Sequence, residues 1–184
     1  MSDFVAWIDN EEPLTVDDLV AHARLGTDEA TALASYLETV VIPAARQLAE
    51  TRAGAAIRRA TYQDHRTSVP RGAIQLGMGQ AYAVESLTIA GQLQDPSSYS
   101  LLVIDKDPRV IPSHGRWPHG PLTVVYNAGI EDMSRYPSVK NWMLLAAAWM
   151  LEQPSMFTLE QAVQSMPASY VDSLLAPISV DCRV

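Results

Sequence analysis

The stretch Leu122–Pro154, LTVVYNAGIEDMSRYPSVKNWMLLAAAWMLEQP, decides the fold. Leu122, Val124 and Tyr126 fall on one face of an extended chain, with Thr123, Val125 and Asn127 on the other. That alternation, in β-branched and aromatic residues, marks a strand. Gly129 ends it, and Pro137 suits the first turn of a helix, where a missing N–H leaves no bond unmade. Val139, Trp142, Met143, Ala146 and Met150 then recur at helical spacing, while Leu144, Leu145, Ala148 and Leu151 cover the remaining sides. A helix apolar all round is buried. The run Trp142–Leu151 is far short of the ~20 apolar residues of a membrane span. The helix is therefore expected to form the centre of a core, a wall between subunits, or both.

Upstream, Thr15 reads as an N-cap with Asp17 and Asp18 in the first turn, and Leu14 and Leu19 stand at the positions of a hydrophobic staple. This helix is predicted to stop at Gly26. Thr27 is predicted to cap a second helix, whose apolar stripe is Leu33, Leu37, Val40, Ala44 and Leu48. Pro43 lies inside it and should kink it. The stretch Ile57–Thr67 shows no clean period. From Val69 to Asn127 short apolar runs alternate with Gly, Pro, Asp and Ser, and Asp105-Lys106-Asp107 reads as a hairpin turn. After the central helix, Pro154 stops the chain, and short helical candidates follow near Thr158–Ser165 and Ala168–Ala176. The expected fold is α+β: an antiparallel helical bundle core with a small inserted antiparallel β region. It is read as a single domain over 1–184, with helices about 15–53 and 137–176 and the β insertion about 56–128.

The chain has 184 residues and a net charge of −8, which argues against a general nucleic-acid binder. Its hydrophobic fraction of 48% supports a real core. The single cysteine, Cys182, cannot make an internal disulfide or a cysteine-based zinc site alone. Phe4–Ile8 is too short for a signal peptide and is followed by Asp9, Glu11 and Glu12. Charge is unevenly spread: residues 1–50 carry −8, whereas residues 51–71 carry +4 from Arg52, Arg58, Arg59, Arg66 and Arg71 against Asp64. This basic stretch is either a solvated face or a surface for an acidic partner, such as the acidic N-terminal third of a neighbouring copy.

Catalytic constellations are sparse. His114 and His119 lie five apart in SHGRWPHG, with no carboxylate or cysteine completing a metal set at a familiar spacing. Asp64-His65 could form half of a relay, yet no G-x-S-x-G elbow supplies a nucleophile. Gly77-Met78-Gly79 lacks the surroundings of a phosphate loop. Asp105 and Asp107 read as a solvated hairpin tip. The tryptophans read as packing residues. No cofactor or metal is expected.

The order of elements resembles the head–tail connector (adaptor, or head-completion) proteins of long-tailed bacteriophages and prophages. The resemblance spans roughly Thr15 to Pro177. It rests on the acidic helix pair, the β region, Trp117-Pro118, LTVVYNAG at Leu122–Gly129, the helix YPSVKNWMLLAAAWMLEQ opened by Tyr136-Pro137, and VDSLLAP at Val171–Pro177. Two departures are Gln153-Pro154 at the helix exit, where a basic residue is expected, and an N-terminus longer and more acidic than usual. The resemblance implies a structural virion protein, not an enzyme, at the capsid–tail junction, present in host cytoplasm during assembly. It implies a ring of about twelve copies beneath the portal protein, with a downstream connector, stopper or tail protein docked on it. DNA passes through its lumen without sequence-specific contact, and no membrane is involved. Unlike surfaces on one chain suit head-to-tail contacts that close a ring. The candidate oligomer or portal interface is Arg52, Arg58, Arg59, Arg66, Arg71, Trp142 and Trp149. The alternatives are a small metal-dependent or serine hydrolase using His65, His114 and His119, and a cytoplasmic adaptor binding peptides along an exposed strand edge.

Overall fold

The computed structural model describes residues 2–152 and 173–180. The expected helices after Pro154 lie largely outside these residues, as does Cys182. The chain forms two compact units, one of residues 1–10, 53–131 and 178–184, the other of residues 11–52 and 132–177.

The first unit is built from antiparallel strands. In chain order they are β1 (Ser2–Trp7), β2 (Ala60–Arg66), β3 (Ile74–Gln75), β4 (Ala81–Ile89), β5 (Gln92–Leu93), β6 (Tyr99–Ile104), β7 (Asp107–Pro112) and β8 (Leu122–Ala128). One sheet has the order β1-β2-β8-β4-β5, the other β3-β7-β6. The central strand β8 buries Leu122, Val124, Tyr126 and Ala128, the face expected from the sequence. These side chains join Ala60 and Tyr62 of β2, Leu87 and Ile89 of β4, Ile74, Val110 and Trp117 in one apolar core. The β6–β7 hairpin turns where predicted, with Asp105 and Lys106 both at positive φ. Two left-handed residues make the tight turn whose twist matches its strands.

The second unit holds α1 (Val16–Ala23), α2 (Thr27–Tyr36), α3 (Ile42–Ala53) and α4 (Pro137–Glu152). Thr15 and Asp18 exchange side-chain and backbone hydrogen bonds at 3.1 Å, a capping box at the start of α1. Leu14 and Leu19 are both buried. The helix stops at Arg24, in the left-handed conformation, rather than at Gly26. Gly26 then occupies the cap position expected for Thr27. Between α2 and α3 the helix widens into a π segment, Leu37–Val41, in which Ile42 donates to the Leu37 carbonyl. Pro43 explains it: its ring clashes with the carbonyl four residues back and it has no N–H to offer, so the turn before it loosens. α4 buries Val139, Trp142, Met143, Ala146 and Ala147. Among the described residues no helix is long and apolar enough to cross a membrane.

Mixed helices and antiparallel sheets make the fold α+β. It is dominated by sheet, not by the antiparallel helical bundle core expected from the sequence. β1, from the N-terminus, and β2, from the stretch without a period, extend what had read as a small insertion into a five-stranded sheet.

Candidate functional site

The five arginines of the basic stretch have different surroundings. Arg52 lies with its guanidinium 5.8 Å from the Trp142 ring centre. Arg58 donates to the Asp9 carbonyl from Nε at 3.2 Å and Nη2 at 2.8 Å, and sits 4.2 Å above the centre of the Trp7 ring. Arg59 donates to the Tyr82 hydroxyl at 3.3 and 3.1 Å and lies 3.7 Å from Asp9. Arg66 donates to the Gln75 carbonyl. Arg58 and Arg59 therefore fasten the end of β1 to the sheet, and Arg66 ties β2 to β3. The backbone supports the same fastening: Ile8 N–H donates to the Arg59 carbonyl at 2.9 Å. Gly129, at φ +138°, passes so close that a Cβ there would lie 2.5 Å from the Arg59 Cα. Only glycine fits that crossing.

Arg71 differs. It is exposed, on the loop after β2, and forms no ion pair among the described residues. It borders a cavity of about 440 Å³ whose other walls include Pro70, Arg116, Trp117, Pro118 and His119. Trp117 is buried, and its indole N–H donates to the Gly72 carbonyl at 2.7 Å, which ties the two loops lining the cavity. Sequence reasoning paired His119 with His114 and left Arg116 unassigned. The signal for the cavity was present in part: Trp117-Pro118 is flanked by Arg116 and His119.

The hydrolase constellation is not assembled. Asp64 and His65 are neighbours on β2, so their side chains leave opposite faces of the sheet. Asp64 is buried: its Oδ2 accepts the Gly77 N–H at 2.6 Å, and its Oδ1 accepts the Tyr126 hydroxyl at 3.2 Å. Burial raises the Tyr126 hydroxyl pKa well above its ordinary value, with the Asp64 charge adding to the shift. His65 is exposed, with Nδ1 3.0 Å from the Thr123 hydroxyl and Nε2 2.6 Å from the Gln63 amide. Among the described residues no three His, Cys, Asp or Glu side chains come together as metal ligands. Asp107 is not the solvated tip expected. It is buried, accepts the Gln75 amide at 3.1 and 3.0 Å, and pairs with Arg109 at 2.8 Å.

Trp142 is fully buried, and its indole N–H has no partner among the described residues. Trp149 is only half-buried, a correction to the expected burial of both. Trp149 stands two turns after Trp142 on the same stripe, but in the last turn of α4, beyond the buried residues, which end at Ala147. In the second unit, Arg46 is buried between Glu12 at 2.7 Å and Glu50 at 2.6 Å. Burial lowers its pKa, but Glu50 and Glu12 outweigh that and the net shift is upward. Large apolar side chains reach the surface in two runs, Phe4, Val5, Trp7 and Ile8 along and just after β1 and Leu102, Val103 and Ile104 at the end of β6, and singly at Tyr36, Val40, Tyr82 and Leu93.

No protein-family model and no curated protein matches the sequence. Solved structures do match, along the whole chain. A chain described as the neck of an empty gene transfer agent particle, computed with sixfold symmetry, aligns with a TM-score of 0.71 at 23% identity. One from the virion of the native gene transfer agent particle aligns at 0.71 and 21%. One from the neck of the native particle, computed with twelvefold symmetry, aligns at 0.67 and 18%. Each alignment covers 100% of this chain and 97% of the other. This chain thus has the fold of proteins found in the neck of a phage-like particle.

Proposed function

We propose that this chain is a structural virion protein, a head–tail connector subunit that assembles as a ring beneath a portal and joins capsid to tail. The observation that carries the reading is the end-to-end likeness to neck chains of a particle solved with sixfold and twelvefold symmetry. The sequence resemblance reaches the same class through different evidence, the order of Trp117-Pro118, Leu122–Gly129 and the Pro137 helix. A ring of about twelve identical subunits needs two unlike surfaces on each chain, joined head to tail. The portal lies on one side, a further connector or tail protein on the other, and DNA runs through the lumen. The net charge of −8 suits that passage, because an acidic wall repels phosphates and lets the genome slide. No catalytic step is assigned to any residue.

The test is deletion of the gene from the element that encodes the particle. DNA-filled heads without tails should accumulate, and the purified chain should restore tail joining in extracts. Tailed particles in normal numbers after the deletion would overturn the reading.

A further inference from the structure

We infer that the cavity beside Arg71, Arg116 and His119 is a carboxylate-binding site for a second copy of this chain, and that the carboxylates are those of Asp28 and Glu29. The inference rests on the connector reading above. Arg71, Arg116 and His119 border one concavity of about 440 Å³, and among the described residues no acidic side chain lines it. Both arginines are exposed and lack an ion pair among the described residues. Guanidinium groups match carboxylates through paired, parallel N–H donors. The walls are Pro70, Trp117 and Pro118, stiff residues that bury without losing much freedom. The indole bond to Gly72 keeps both loops in place before anything binds.

Size and charge select the occupant. A duplex needs a basic face that follows its phosphates. One cavity on a chain of net charge −8 does not offer that face. An acidic protein segment fits, and every copy of this chain carries one. Adjacent acidic pairs elsewhere have an internal partner: Glu12 pairs with Arg46, Asp18 with Lys140, and Asp132 with Arg135. Asp28 and Glu29 are both exposed in the first turn of α2 and form no ion pair among the described residues. Two side-by-side carboxylates meeting two side-by-side arginines make a heterologous contact, the kind that repeats around a ring.

The test is a charge swap on the full chain, produced together with its portal and scored as complete rings by electron microscopy. Arg71→Glu with Arg116→Glu should reduce complete rings at least tenfold while the circular dichroism melt stays unchanged. Asp28→Arg with Glu29→Arg should do the same. All four changes on one chain should restore at least half of the rings, since each contact regains opposite charges. Rings unaffected by the first pair, or lost without rescue by the swap, overturn the inference. So does duplex DNA binding by the wild-type chain that the first pair abolishes, which would make phosphate the occupant. If the wild-type chain forms no ring on the portal, it is the connector reading that fails. The cavity is then titrated with a synthetic peptide of residues 24–41: binding lost in the Arg71/Arg116 variant keeps the site, and no binding overturns it.

Discussion

Tyr126, at the middle of the central strand, donates its hydroxyl to the buried Asp64 carboxylate on the neighbouring strand at 3.2 Å. The same hydroxyl accepts the Met78 N–H at 2.9 Å and lies 3.0 Å from the Ser2 hydroxyl. One polar atom thus joins β8, β2, the loop after β3 and the start of β1. Tyr126→Phe removes it and leaves a carboxylate oxygen and a backbone N–H short of a partner inside the unit. An unsatisfied buried group costs about 1–3 kcal/mol. The expected result is a lower thermal midpoint with unchanged secondary structure. An unchanged midpoint would mean that water replaces the hydroxyl at no cost.

Arg46 stands between Glu12 and Glu50 with all three side chains largely out of water. Arg46→Ala leaves Glu50 buried without that cation, and breaking a buried pair in this way costs about 3–5 kcal/mol. Arg46→Met combined with Glu50→Leu should be far milder, because no charge is stranded. Urea unfolding of both variants distinguishes them. Equal losses would show that the site matters through volume rather than charge.

Asp18 gives the second unit a pH dependence of known sign. Burial alone raises its pKa, but the bonds from Lys140 and Thr15 outweigh this and the net shift is downward. A carboxyl that is more acidic when folded contributes stability above its unfolded value, and that contribution is lost as pH falls through the folded value. Asp18→Asn should therefore lower stability at neutral pH and flatten its fall below about pH 4. Melting curves between neutral and strongly acidic pH check it. A parallel fall in both proteins would show that the cap and the lysine contact do not depend on the charge.

The helices before Ala53 and strand β8 were legible because each carries a local signal. Thr15 and Asp18 cap, Leu14 and Leu19 staple, and β8 alternates without a fault. β2 was not legible because Asp64 occupies a position facing the core, where the pattern calls for an apolar side chain. What makes it tolerable there is the Tyr126 hydroxyl and the Gly77 N–H, both remote in sequence. β1 was hidden for a related reason: Phe4–Ile8 is a continuous apolar run whose partner strand begins at Ala60. The arginine stretch was visible as charge, but a linear count cannot tell that Arg58, Arg59 and Arg66 face internal acceptors. Nor can it bring Arg71 beside Arg116, since their loops meet only once Trp117 reaches the Gly72 carbonyl.

Trp142 and Trp149 lie on the same helix and should respond differently to truncation. Trp142 is enclosed, and Trp142→Ala should cost about 3–5 kcal/mol as a cavity opens in the second unit. Trp149 is half-buried, so Trp149→Ala should cost much less in the isolated chain. Chemical denaturation measures both. A large loss of assembly with a small loss of stability for Trp149→Ala would assign that ring to a subunit contact. Equal destabilisation would place both in the core.

Arg58 holds β1 by its charge and by its flat face. Two donated bonds reach the Asp9 carbonyl, and the guanidinium stacks on Trp7. Hydrogen bonds from a charged donor contribute about 1.5–3 kcal/mol, and a cation over an indole about 0.5–2 kcal/mol. β1 is an edge strand, hydrogen-bonded on one side to β2, with a bulge between Phe4 and Ala6. Its other ties run mainly to β2 and to the Tyr126 hydroxyl, so most of that loss should fall on the strand itself. Arg58→Glu is therefore expected to speed amide exchange of Ser2–Trp7 by roughly tenfold or more, since about 1.4 kcal/mol corresponds to a factor of ten. Exchange in β8 should stay slow. Mass-spectrometric hydrogen exchange on the full chain reads both segments at once. If β1 keeps its protection while ring formation on the portal fails, Arg58 acts between subunits rather than within one. If β8 loses protection too, β1 is part of the cooperative core and not an attached edge.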